Sequence, residues 1–246
     1  MTLFAQAMTN EQIESDLKKQ YEKIISFPYG GGNDIDSLEL CDSLFQAKFA
    51  FYTSHYPSTL TYPFDSLQKD DKITIATSKD KLFRIYSWDT WDGGTMHSTT
   101  NLLQFKIENK VYAMYPTYKE DPQNDLELWY NNIYILKANH RTYYLGAGNG
   151  IYSTRMVGGA IRVFSIENHT LIDTVKLIKT KKGSTAFLGY SYQIGSLENT
   201  NKPLLPLYDS ITHIIALPLS DHDGNATGKY RIYQFMGKYF EPINRK

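Results

Sequence analysis

One cysteine, Cys41, stands among 246 residues, so no internal disulfide can form. Charge of one sign is missing too. The 26 basic and 26 acidic residues are interspersed, and the basic footprint of a nucleic-acid or anionic-membrane binder is absent, which sets nucleic acid aside as a partner. No apolar run has spanning length, so no transmembrane segment is expected. The histidines, at 55, 97, 140, 169, 213 and 222, never fall into a His-x-x-x-His or His-Glu-x-x-His spacing. The loop Asp221-His222-Asp223-Gly224-Asn225 alternates oxygen donors but lacks the glutamate that an EF-hand requires. Gly146, Gly148 and Gly150 are followed by isoleucine at 151, where a dinucleotide fingerprint needs its third glycine, and they lead into a strand rather than a helix. There is no Gly-x-Ser-x-Gly elbow. Neither metal nor cofactor is expected.

Aromatic residues are abundant: twenty tyrosines and twelve phenylalanines predict a strand-rich fold with aromatic pleated faces. The start, Leu3-Phe4-Ala5-Gln6-Ala7, reads as the end of an apolar region with an A-x-A cleavage site. Residues 1–8 are therefore expected to be the remnant of a signal peptide. Export without a disulfide fits a bacterial envelope, in the periplasm, at the outer membrane or outside the cell.

Residues 9–56 predict a helical segment. Ile13, Leu17, Tyr21 and Ile24 share one helical face, and Thr9 with Gln12 forms a capping box. Gly30, Gly31 and Gly32 end that helix, and Asn33, Asp34, Asp36 or Ser37 caps a second one over 35–52. Leu38, Cys41, Phe45, Phe49 and Tyr52 make its apolar stripe, so Cys41 is expected in the core. From 57 to 246 the chain predicts an antiparallel β domain, a meander of short runs separated by turns such as Asn139-His140 and Asn168-His169. A partial propeller-like or sandwich arrangement is the first expectation and a barrel the second. "FRIYSW" at 83, "IRVFSI" at 161 and "YRIYQF" at 230 echo one another at unequal spacings, which leaves a true repeat open. The glycines from 146 to 159 predict a long loop carrying Tyr152 and Arg155.

The densest cluster of reactive side chains is "SWDTWDGGTMH", from Ser87 to His97. Asp92-Gly93 or Gly93-Gly94 predicts a two-residue hairpin, which sets Trp88 opposite His97 in one register and Thr90 opposite His97 in the other. Strand alternation would put Trp88 and Trp91 on opposite faces. Asp89 and Asp92 offer a carboxylate pair of the kind glycoside hydrolysis uses, with His97 nearby.

"FRIYSWDTWDGGTMH", together with "GKYRIYQFMGKYFEPI" near the C-terminus, resembles segments of an uncharacterised family of exported Bacteroidetes proteins. The resemblance runs from about Lys72 to the end and implies export, with no activity to carry over. The leading expectation is a noncatalytic exported envelope or surface module that binds glycan or a protein partner through exposed aromatics. Its candidate ligand-binding residues are Trp88, Trp91, His97, Tyr152 and Arg155. The alternatives are a carbohydrate-active hydrolase using Asp89 and Asp92, and a structural accessory of an envelope complex.

Overall fold

The computed structural model describes residues 8–69, 73–93, 97–117, 128–195 and 204–243. Apart from Met8, the stretch read as a signal-peptide remnant lies outside the described residues, as do Gly94, Thr95 and Met96.

Helix α1 (Asn10–Ile25) starts at the expected capping box. The Gln12 amide donates to Thr9 Oγ1 at 3.3 Å and the Thr9 amide to Gln12 Oε1 at 2.9 Å, so both ends of the box are made. Helix α2 (Ile35–His55) has Asp34 at its N-cap without a side-chain cap bond. It runs three residues past the expected end and stops just before Tyr56-Pro57, where proline disfavours a helical predecessor.

Among the described residues the strands form three sheets. The first is the meander β1 (Ile73–Thr77), β2 (Phe83–Asp89), β3 (Thr99–Ile107) and β4 (Lys110–Met114). The second begins with β5 (Trp129–Ala138), β6 (Arg141–Ile151), β7 (Met156–Glu167) and β8 (Thr170–Ile172). β9 (Ile178–Thr180) and β10 (Gly183–Thr185) go to the third sheet, β11 (Phe187–Gln193) returns to β7, and β12 (Leu207–Asp209), β13 (Ile214–Ser220), β14 (Ala226–Phe235) and β15 (Phe240–Ile243) complete the third. Pairing is antiparallel except for the single parallel match of Phe240 with Ile178. The fold is mainly β with two N-terminal helices, and the described sheets form no closed barrel.

Period-two alternation explains how these layers stack. Tyr86, Trp88 and Leu102 pack under Leu17, Phe45 and Phe49 of the helices. Phe83, Ile85 and Leu103 leave the other face of the same sheet and meet Tyr130, Tyr144 and Phe164 of the second. Leu145, Ile161 and Val163 then face Ile215, Tyr233 and Phe240 of the third. The order is helices, sheet one, sheet two, sheet three. A bulge between Tyr130 and Asn132 keeps this order along β5: before it the even-numbered Tyr130 faces sheet one, and after it the odd-numbered Ile133 and Ile135 do.

The three echoing segments fall on β2, β7 and β14, an interior strand of each sheet. In each, the aromatic residue at the fourth position, Tyr86, Phe164 or Tyr233, faces the preceding layer. The resemblance is thus one of structural role. The arginines differ in setting: Arg84 and Arg162 are buried, whereas Arg231 is exposed.

Two expectations are corrected. Gly146, Gly148, Gly150, Gly158 and Gly159 belong to β6 and β7, so the long glycine loop shrinks to Tyr152–Arg155. These strands use glycine where neighbouring aromatic rings and carbonyls press on the backbone. The two-residue hairpin after Trp91 is not formed either. Asp89 pairs with Thr99 and the Thr90 amide donates to the Ser98 carbonyl at 3.0 Å, which is neither expected register. The Asn139-His140 and Asn168-His169 turns do take the expected form, with positive φ at both residues.

Candidate functional site

β2 ends at Asp89, whose residue is only 3% exposed, and a buried carboxylate must find donors. Among the described residues three reach it. His97 Nδ1 lies 2.5 Å from Oδ2, the Tyr29 hydroxyl donates to Oδ2 at 3.2 Å, and the Trp91 amide donates to Oδ1 at 2.8 Å. The Tyr21 hydroxyl also donates to the Asp89 carbonyl at 3.0 Å, tying the strand end to α1. Burial, with Asp89 and Asp42 nearby, raises the Tyr21 phenol well above its ordinary range and keeps it a donor.

The chain turns at Trp91, which adopts a left-handed φ of 68°. For a bulky residue this costs about 1–3 kcal/mol, and three bonds offset it. The Trp91 amide is held by Asp89, its carbonyl accepts the Gly30 amide at 2.9 Å, and its indole N–H donates to the Phe27 carbonyl at 2.9 Å. Gly30, with φ at 80°, takes a conformation that glycine adopts without a steric penalty. α1 ends at Ile25 with Ser26 as its C-cap, so the glycine triplet does not end it as expected; Gly30 instead docks the α1–α2 connection onto the Trp91 turn.

That docking places rings in a row. Trp91 meets Tyr29 edge-on with centroids 4.7 Å apart, Tyr29 meets His97 at 5.1 Å, and His97 meets Trp129 at 5.7 Å. Tyr29, Trp91 and His97 are each partly exposed, while Trp129 is 9% exposed. The His97 side chain retains 33% of its surface, and its amide donates to the Ile151 carbonyl at 3.2 Å, which pins the far side of the turn to β6. In the neutral imidazole, Asp89 accepting from Nδ1 leaves Nε2 as the acceptor. Among the described residues no hydroxyl or thiol hydrogen-bonds to His97.

The expected site residues separate accordingly. Trp88 is fully buried, edge-on to Phe45 at 5.2 Å, with its indole N–H on Asp42 Oδ1 at 3.2 Å; it belongs to the core and is not an exposed contact residue. Both tryptophans pack toward the helices, because the left-handed turn at Trp91 cancels the alternation that would have split them. Asp89 and Asp92 do not converge: Asp92 is exposed and accepts from Thr90 Oγ1 at 2.5 Å. Tyr152 follows Ile151, next to the His97 anchor, and its buried hydroxyl has no partner among the described residues; burial raises that phenol too. Arg155 is exposed at the β6–β7 turn, where its carbonyl accepts the Ile194 amide at 2.8 Å. Tyr29 was not legible in the sequence as a site residue, being 60 positions from Asp89, and Trp129 carried no local signal.

Elsewhere, Asp221 spends its carboxylate on the amides of Asp223 and Asn225 at 2.9 and 2.8 Å, closing the β13–β14 turn. Among the described residues no group of three His, Cys, Asp or Glu side chains is placed to hold a metal ion. A cavity of about 410 Å³ lined by Lys79, Asp80, Ile135, Lys137 and His213 opens at the opposite end of β2 from His97. Compared with known proteins, the chain matches no family model, no curated protein and no solved structure.

Proposed function

We propose that the chain is a noncatalytic, exported envelope or surface module that binds glycan across the Trp91–Tyr29–His97 row. The observation that carries this reading is the fixing of His97 by the buried Asp89 carboxylate, within a row of rings whose orientations are themselves locked by hydrogen bonds. A sugar presents an apolar C–H face and a rim of hydroxyls. Half-exposed aromatic rings supply the apolar contact, and an imidazole Nε2 accepts from a hydroxyl, the mix of stacking and few fixed polar groups that defines a small-ligand site. Because these side chains are already held, little rotamer entropy is lost on binding.

Retention on a glycan array tests the reading. Wild-type protein is expected to be retained by a subset of glycans and His97→Ala, assayed below its own lowered melting temperature because the buried Asp89 loses a donor, to lose that retention while folded. Wild-type protein retained by no glycan, or His97→Ala retained as well as wild type, contradicts it.

A second reading, a carbohydrate-active hydrolase, draws support from the same dyad. Its active group would be His97 as general base with Asp89 orienting it, rather than an Asp89 and Asp92 pair, since Asp89 is buried and already accepts three donors. Reducing sugar released from a polysaccharide panel and lost in His97→Ala would favour it over binding alone.

A further inference from the structure

We propose that the cavity at the far end of β2 from His97 is a second ligand site, one that holds a phosphate group, either free or as the monoester of a small molecule. Its walls come from all three sheets. Lys79 and Asp80 belong to the β1–β2 turn, Ile135 and Lys137 to β5, and His213 to the β12–β13 connection, and together they line about 410 Å³, within the size range of small-molecule sites. Beyond the bulge in β5, alternation puts Lys137 on the same face as Ile135, toward sheet one and the turn that carries Lys79.

The charges in the cavity select the ligand. Lys79 and Lys137 are exposed, and among the described residues neither ammonium takes part in an ion pair, a side-chain hydrogen bond or a ring contact. Two positive charges thus stand uncommitted over one cavity. The carboxylate beside them is already occupied: Asp80 Oδ1 accepts from the Ser78 hydroxyl at 2.6 Å and the Leu82 amide at 3.1 Å, and Oδ2 from the Tyr144 hydroxyl at 3.0 Å. Asp80 fixes the turn that presents Lys79. Asp209, the other carboxylate near His213, is likewise spent on the Ile211 amide and on the amide and hydroxyl of Thr212.

His213 is set differently from His97. Its Nδ1 lies 2.9 Å from the Tyr208 hydroxyl rather than from a carboxylate, and a hydroxyl donates as well as accepts, so the ring is free to carry its proton on Nε2. Nε2 is the nitrogen left for a ligand. Phe235 stands edge-on to the ring at 6.4 Å and its amide donates to the His213 carbonyl at 3.0 Å, which holds the residue in place. Two ammonium groups and an imidazole N–H match one oxyanion. A carboxylate offers a single charge and two oxygens, whereas a phosphate group carries about two charges and three acceptor oxygens at neutral pH, one for each donor. Ile135 and the lysine stems supply an apolar wall for the rest of a monoester.

Titration of the whole protein with sodium phosphate, replacing sodium chloride at constant ionic strength and pH, tests this on the imidazole C–H resonances. Those of His213 are expected to shift saturably in the millimolar range, while those of the exposed His140, His169 and His222 stay still. Glycerol phosphate should do the same, and glycerol should leave His213 unmoved. Tighter binding of the ester assigns the site to a phosphorylated small molecule, and any other order assigns it to the free ion. Lys79→Ala and Lys137→Ala should each weaken the binding by about tenfold and keep the wild-type melting temperature, because both side chains are exposed. No saturable shift at His213 with either phosphate probe, an equal shift with glycerol, or phosphate binding unchanged in the double variant Lys79→Ala/Lys137→Ala overturns the proposal. The cavity shares no residue with the Trp91–Tyr29–His97 row, so a failure here leaves glycan retention unaffected.

Discussion

Trp88 and Trp91 lie three residues apart in the sequence and do different work. Trp88 is a full-volume core residue whose indole N–H satisfies Asp42, so Trp88→Ala is expected to cost about 3–5 kcal/mol through the cavity and the donor lost to Asp42. Trp91→Ala removes a half-exposed ring and one bond to Phe27, and is expected to cost less than half as much while abolishing glycan retention. Urea denaturation of the two variants checks the ranking, and equal losses would mean that Trp91 is simply core. Strand alternation assigns the two rings to opposite faces. It fails because Trp91 is held in a left-handed conformation by partners at Phe27, Gly30 and Asp89, the first of them 64 positions away. Long-range contacts of that kind leave no local pattern, which is why Tyr29 could not be read beforehand whereas the Thr9 and Gln12 capping box could.

At the scale of elements, the helices and most strands were legible because apolar periodicity and turn chemistry act over a few residues. Asn139-His140 and Asn168-His169 are the clearest cases: a two-residue turn needs positive φ twice, and asparagine tolerates it. The glycines of β6 and β7 misled for a physical reason. Glycine marks loops, but it also marks strands whose neighbours press on the backbone. A Cβ on Gly158 would overlap the Tyr190 carbonyl oxygen on β11 and come within 2.8 Å of Tyr152 Cε2. Gly158→Ala is therefore expected to destabilise the protein by about 1–3 kcal/mol, although alanine is the better residue on intrinsic grounds. A shift of the denaturant midpoint to lower concentration checks this, with hydrogen exchange accelerating first in β11. An unchanged midpoint would show that β7 and β11 separate easily at that point.

The whole molecule is a stack of four layers whose interfaces are filled largely by tyrosine, phenylalanine and aliphatic side chains, and this composition sets its response to alkali. Burial pushes the Tyr86 phenol up to about 12, and Tyr62 and Tyr208 likewise reach about 12, against an ordinary value near 10. The folded state thus holds these protons more tightly than the unfolded chain. Their stabilisation is complete below about pH 10 and is lost as the pH climbs toward about 12. The tyrosinate absorbance of the buried rings should therefore appear, and circular dichroism fall, in one cooperative step, and full tyrosinate absorbance reached while the circular dichroism is still native would contradict it. The stack also positions the site: α1 and the α1–α2 connection reach the end of β2 from one side, and β5 and β6 bring Trp129 and Ile151 from the other. The chain's three tryptophans, Trp88, Trp91 and Trp129, make the central claim directly measurable, because each gives one indole N–H resonance. In a titration with the oligosaccharide best retained on the array, the Trp91 indole and the His97 imidazole resonances should shift saturably while the Trp88 indole stays still. Saturable shifts that leave Trp91 and His97 unmoved would place the ligand elsewhere and contradict the account.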